Sequence, residues 1–130
     1  MTRRSRGASD RFAERRRLED EADRLATAVP ALQSLRFEVE EGRGGAIAPE
    51  SKYVRLVVVR RAPALLFFPC GDPACKEGGH DLTALALNEL RHRSETFALE
   101  DTCLGNVGSR YCGRVLHVVA MATYAADGAP

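Results

Sequence analysis

The segment from Cys70 to His80 places two thiols and one imidazole within eleven residues. Its turn-forming residues bend the backbone around those side chains: Gly71, Pro73, Gly78 and Gly79. Two further cysteines, Cys103 and Cys112, follow in a glycine-rich loop. Thiolate and imidazole are the ligands that zinc prefers, and tight turns allow ligands that are close in sequence to converge on one ion. The sequence therefore predicts a small metal-binding domain.

Five side chains are the candidate metal ligands: Cys70, Cys75, His80, Cys103 and Cys112. The preferred set is the four cysteines, which together would complete a tetrahedral site. His80 would then support the site from outside or replace one thiolate, and a Cys3His set without Cys112 stays open. Asp72 or Asp81 is expected to orient a liganding histidine through its free ring nitrogen.

A predicted strand–helix–strand unit gives the reason for these residues to meet. Residues 64–68 and 94–103 read as strands, and the apolar spacing between them predicts a helix over 81–93. If this is a βαβ crossover, both strands run the same way and end at one edge of the sheet. Residues 114–124 predict a long apolar strand that folds back antiparallel from that edge. We therefore expect the metal site at the rim of the sheet.

The remaining patterns complete an α+β domain over residues 10–126, with a mainly antiparallel sheet of four or five strands. An amphipathic helix is predicted over 10–29, and alternation predicts a strand over 35–39 with an exposed edge that could pair with another chain. A further apolar strand is predicted over 53–59. His117, inside the last strand, is expected in the core. Residues 1–9 are expected to form a flexible basic tail and residues 127–130 a frayed C-terminus.

Charge and composition bear on location and partners. Apolar content is 45% and net charge is only +1, so the whole molecule has no electrostatic pull toward nucleic acid. Residues 1–17, however, hold seven arginines and offer a segment for a protein or nucleic-acid partner. No run approaches the roughly 20 apolar residues of a membrane helix, and no secretory signal is recognisable. We expect a cytoplasmic protein without membrane contact, whose cysteines stay thiols or bind metal.

These observations favour a small zinc-binding domain with a structural Cys/His site, more consistent with a non-catalytic interaction module than with an enzyme. The alternative is a redox or electron-transfer protein that uses a reactive thiol pair or an iron–sulfur cluster. Over about a third of the chain, the order of Cys70, Cys75, a predicted helix, a predicted strand and Cys103 is similar to the pattern of thioredoxin-like two-iron ferredoxins, which present cysteines at strand ends. Cys112 departs from it, because eight residues separate it from Cys103 where that family keeps the later pair close.

Overall fold

The computed structural model describes residues 8–42 and 52–126, with side chains from residue 13 onward. Its helices are α1 (Ala8–Glu21), α2 (Leu25–Ala28) and α3 (Thr83–Arg91). Its strands are β1 (Leu32–Gly42), β2 (Lys52–Val57), β3 (Phe67–Phe68), β4 (His80–Asp81), β5 (Thr96–Thr102), β6 (Asn106–Val107), β7 (Arg110–Tyr111) and β8 (Val115–Tyr124). No helix within these ranges combines the length and apolarity needed to cross a membrane.

One four-stranded sheet organises the fold, with strand order β2-β1-β8-β5 and antiparallel pairing throughout. The long strands β1 and β8 lie at its centre, as the apolar run over 114–124 predicts for the latter. β3 pairs with β4, and β6 with β7, in two separate two-stranded sheets. The predicted α+β class with a mainly antiparallel sheet is therefore confirmed.

Alternation along the central strands decides which face is buried. Phe37 and Val39 of β1 are at most 1% exposed and lie opposite Ala120 and Val118 of β8. The same inner face packs with apolar residues of α3 in one hydrophobic core. Phe68 joins this core with its ring edge-on to Phe37, at a centroid distance of 5.2 Å. This contact fixes the chain just ahead of Cys70, so the core positions the first cysteine loop.

The predicted βαβ crossover is wrong for the described strands, because none of them pairs in parallel. Residues 64–68 form only the short β3, which pairs with β4 outside the main sheet. Just before it, the chain bonds elsewhere: Ala64 N donates to Asp23 O, and Leu66 N to the Thr83 hydroxyl. Pro63 has no N–H to offer a ladder. These bonds hold the segment against the helices instead of adding it to the sheet.

Two expectations about exposure are also corrected. The strand over 35–39 has no free edge, because β1 pairs with β2 on one side and β8 on the other. His117 lies on the outer face of β8, with its side chain 48% exposed and its Nδ1 3.3 Å from Glu100 Oε2. The buried apolar side chains of this part of β8 are those of its neighbours, Leu116 and Val118. Because successive residues of a strand face opposite sides, His117 points away from the core.

The predicted N-terminal helix is interrupted. α1 ends at Glu21, Arg24 forms an isolated bridge with Pro63, and the chain then resumes as the short α2. Leu25 is fully buried, whereas Leu18 is 43% exposed, so only the C-terminal part of the predicted apolar face enters the core. Most of the predicted basic tail, the glycine-rich connection before β2 and the predicted frayed C-terminus lie outside the described residues.

Candidate metal centre

The four cysteines come from two loops at one end of the sheet, where β1 and β5 end and β8 begins. Cys70 and Cys75 lie between β3 and β4, Cys103 directly follows β5, and Cys112 directly follows β7. Two backbone hydrogen bonds join the loops: Lys76 N to Asn106 O at 2.8 Å, and Asn106 N to Lys76 O at 3.0 Å. Each loop thus brings two thiols to a shared point.

The four sulfur atoms lie close enough together to hold one metal ion. All lie within 4.8 Å of one another, with Cys70 Sγ 3.5 Å from Cys112 Sγ and Cys75 Sγ 3.6 Å from Cys103 Sγ. Tetrahedral zinc with bonds of about 2.3 Å separates its sulfur ligands by about 3.8 Å. A disulfide needs about 2.05 Å, so these are four unbonded thiols. Both the donor type and the spacing fit a single ion in a tetrahedral sulfur site.

Two glycines permit this convergence because their backbones pass directly beside the sulfurs. A Cβ added at Gly78 would overlap Cys75 Sγ and lie 2.5 Å from Cys103 Sγ. A Cβ at Gly105 would lie 2.5 Å from Cys75 Sγ and 2.6 Å from Gly78 Cα. Any other residue at either position would push the loops apart.

Burial and hydrogen bonds shift the pKa values of three of the thiols. Burial raises the pKa of Cys75 to about 11 and also raises the pKa of Cys70. Burial acts to raise the pKa of Cys112 too, but the backbone N–H of Arg114 and bonds with the neighbouring thiols outweigh it and leave that pKa lowered. In neutral solution without metal, Cys70 and Cys75 therefore hold their protons. A metal ion must displace them, so its affinity falls as the pH falls.

His80 lies beside this cluster but is held by other groups. Its ring is fully buried. Nδ1 lies 2.8 Å from Asp101 Oδ2, and Nε2 lies 2.8 Å from Glu41 Oε2. Both ring nitrogens are thus engaged by carboxylates, and neither is turned toward the thiols. The four cysteines form the convergent set without it.

Glu41 connects His80 to the first cysteine loop. Its carboxylate is 3% exposed and accepts hydrogen bonds at 2.8 Å from Gly71 N and from Arg114 Nε. Desolvation lowers the pKa of Arg114, but its bond to Glu41 outweighs this and leaves that pKa raised. Because Gly71 directly follows Cys70, the buried carboxylate fixes the backbone that carries the most exposed thiol of the four.

The two aspartates expected to orient His80 act on backbone turns instead. Asp72 Oδ1 accepts from Ala74 N at 2.9 Å, and Asp81 Oδ1 accepts from Thr83 N at 3.0 Å at the start of α3. The carboxylates that do hold His80 come from the ends of β1 and β5. Asp72 still touches the site through its backbone N, which donates to Cys70 Sγ at 3.5 Å.

Sequence reasoning missed Glu41, Asp101 and the role of Arg114, although a signal was present for the two carboxylates. Glu41 lies on the same face of β1 as Phe37 and Val39, which are both buried. Asp101 lies on the same side of its strand as Cys103, two residues ahead of it. A charged residue on a buried parity indicates a polar partner inside the fold. However, no local sequence pattern indicates that His80 is the partner of these two carboxylates.

Comparison with known proteins gives no further guide, since no protein-family model, no curated protein and no solved structure matches this chain. The function therefore has to be inferred from the site itself.

Replacing Glu41 tests the buried network. Glu41→Ala would leave the His80 Nε2, Gly71 N–H and Arg114 groups without their shared acceptor, and we expect a loss of about 3–5 kcal/mol in the free energy of unfolding. Glu40→Ala is the matched control, since the Glu40 carboxylate lies on the surface, 3.8 Å from Lys52 Nζ, and its removal should cost less than about 1 kcal/mol. Denaturant unfolding measures both, and equal stability of the two variants would contradict this role.

Replacing Gly78 tests the close approach at the sulfurs. Gly78→Ala should separate Cys75 from Cys103 and greatly reduce the metal bound per chain. Gly108→Ala is the control: its φ of +63° costs about 1–2 kcal/mol in an L residue, but beyond its two chain neighbours no described atom lies within 4 Å of the added Cβ. We expect Gly108→Ala to lose stability and keep its metal, as measured by elemental analysis. Full metal content in Gly78→Ala would show that the loops can open without losing the site.

Proposed function

We propose that this chain is a small metal-binding domain in which Cys70, Cys75, Cys103 and Cys112 hold one structural zinc ion. The observation that carries the proposal is the convergence of all four sulfurs within 4.8 Å at the junction of two loops. Three of the thiols are buried and the fourth is half-buried. A closed set of four protein ligands leaves no position for a catalytic water, which is the pattern of structural zinc sites.

The same spacing favours a single ion over an iron–sulfur cluster. A two-iron cluster divides its four cysteines between two metals with inorganic sulfide between them, and this keeps the two cysteine pairs farther apart than a single ion does. Among single ions, a tetrahedral sulfur set suits zinc or iron. Zinc is proposed because it is redox-inert and needs only the closed geometry that these loops provide.

The short strands around the site support a structural role. β3, β4, β6 and β7 have two residues each, too few for independent stability. Among the described residues, Cys70 and Val107 are the partly buried hydrophobic residues that pack against the cluster of Cys75, Cys103 and Cys112, which is separate from the main core. Zinc binding would supply the folding free energy that an apolar core does not supply here. The proposal includes a cytoplasmic location, where such thiols stay reduced.

Elemental analysis of the protein purified anaerobically without chelator is the first test. We expect one zinc per chain and no visible colour.

Cys75→Ser should lose zinc and several kcal/mol of stability together, because binding free energy is folding free energy at a structural site. Ala74→Ser, at the exposed neighbouring position, should change neither. Iron with visible absorption would support the electron-transfer alternative, and a Cys75→Ser variant that keeps its zinc and its stability would contradict the proposal.

As an interaction module, the domain would offer its arginine-rich N-terminal segment to a partner. Within α1, Arg17 is already paired with Glu21 at 3.2 Å, so the proposal assigns partner contacts to the arginines ahead of the helix: Arg3, Arg4 and Arg6.

Salt-dependent nucleic-acid binding tests this assignment. We expect duplex or single-stranded DNA to bind weakly, and changing these three arginines to glutamine should remove the binding and its salt dependence. Changing the exposed arginines at 60, 61 and 110 to glutamine is the control for net charge and should have a smaller effect. No binding at low salt would leave a protein as the partner.

A further inference from the structure

Access from solvent is uneven among the four thiols. Cys75, Cys103 and Cys112 are 4%, 1% and 2% exposed, whereas Cys70 is half-buried. Cys70 and Cys75 both line a cavity of about 560 Å³ between α1 and the loop that carries them, but Cys75 is 4% exposed there and Cys70 is the more accessible of the two. This is many times the roughly 30 Å³ that a water molecule occupies, so a small solute can reach the sulfur of Cys70 first.

The charge around the cavity limits which solutes enter. Four carboxylates and one guanidinium line it, with an apolar surface between them: Glu14, Asp72, Glu77, Asp81 and Arg15. A four-thiolate zinc site would add negative charge at the inner end. Anionic reagents are therefore disfavoured, and a small neutral molecule is admitted. Among biological oxidants of thiols, a hydroperoxide has those properties.

The geometry also offers Cys70 a neighbouring sulfur with which it can form a disulfide. Cys112 Sγ lies 3.5 Å from Cys70 Sγ, while Cys75 and Cys103 form the other close pair at 3.6 Å. A Cys70–Cys112 disulfide needs the sulfurs to approach to about 2.05 Å. Forming it would remove two of four zinc ligands and leave a site that no longer encloses the ion.

We infer that Cys70 is the site at which a neutral hydroperoxide oxidises this centre, that Cys112 resolves the product, and that zinc is released. This inference rests on the zinc site proposed above. With hydrogen peroxide as the oxidant, the Cys70 sulfur attacks one peroxide oxygen and the O–O bond breaks. The departing hydroxide takes a proton to form water, and Cys70 is left as a sulfenic acid. The Cys112 sulfur then attacks the Cys70 sulfur and displaces hydroxide, which takes a second proton. Two sulfurs give two electrons to one peroxide, and a thiol reductant reverses the change.

The test uses the full-length protein after its zinc content has been measured. Hydrogen peroxide is added anaerobically with a chromogenic zinc chelator, and the disulfides are mapped by mass spectrometry of non-reduced peptides. We expect one zinc released per disulfide, with Cys70 joined to Cys112. With dimedone present to trap sulfenic acid, the adduct should form on Cys70 alone. Oxidised glutathione, which is anionic, should release zinc at least about tenfold more slowly than peroxide.

Access through the cavity is tested by a matched pair of exposed leucines. Leu18 is 43% exposed and lines the cavity, whereas Leu85 is 54% exposed on α3 and does not line it. Leu18→Trp should slow peroxide-driven zinc release severalfold, and Leu85→Trp should leave it unchanged. Three results would overturn this inference: a first disulfide between Cys75 and Cys103, a dimedone adduct on a buried cysteine, or zinc retention in peroxide. None of them would contradict the proposal that the four cysteines bind zinc. Absence of zinc from the purified protein would remove the site itself.

Discussion

The convergence of four thiols is the constraint on which the cysteine loops depend. The main core, to which β1, β8 and α3 contribute, is separate from the sulfur cluster, and in the described part of the chain Cys70 and Val107 are the hydrophobic residues packed against the three buried cysteines. Hydrogen bonds between Lys76 and Asn106 align the loops but bury little apolar surface. A region with so small an apolar core would gain much of its stability from a staple such as a metal ion. The glycines at 78 and 105 are what the close approach of the two loops requires.

A buried polar network connects this region to the sheet. Glu41 and Asp101 come from the ends of β1 and β5, and they hold the fully buried ring of His80 between them. Taking such charges out of water is costly, and the cost is met only when every group has a partner. Gly71 N and Arg114 complete the set on the side of the cysteines. These hydrogen bonds therefore join the sheet rim directly to the loop that carries Cys70.

Sequence patterns predicted the elements and clusters that depend on residues near one another along the chain. They failed where distant segments compete as pairing partners. Alternation located β1, a continuous apolar run located β8, and the spacing of thiols and turns pointed to one metal-binding cluster. The parallel crossover was wrong because residues 64–68 find their partners in β4 and at the start of α3, a choice that no local pattern records. The cysteines nonetheless meet, since antiparallel β5 and β8 alone bring Cys103 close to the hairpin that carries Cys112. The short pair of β3 and β4 delivers the other two.

The two hydrogen bonds of the His80 ring explain why, of five candidate ligands, the convergent cluster contains the four cysteines alone. A histidine whose two nitrogens already meet carboxylates would have to give up both hydrogen bonds in order to turn to a metal, and one of them is to the buried carboxylate of Glu41. A site of four thiolates and one divalent ion would in turn carry excess negative charge, which nearby N–H groups must offset. Gly79 N donates to Cys103 Sγ at 3.2 Å, and Asp72 N to Cys70 Sγ at 3.5 Å. The turns between the cysteines thus serve two needs, since they let the sulfurs approach and turn backbone donors toward the charge that the sulfurs would hold.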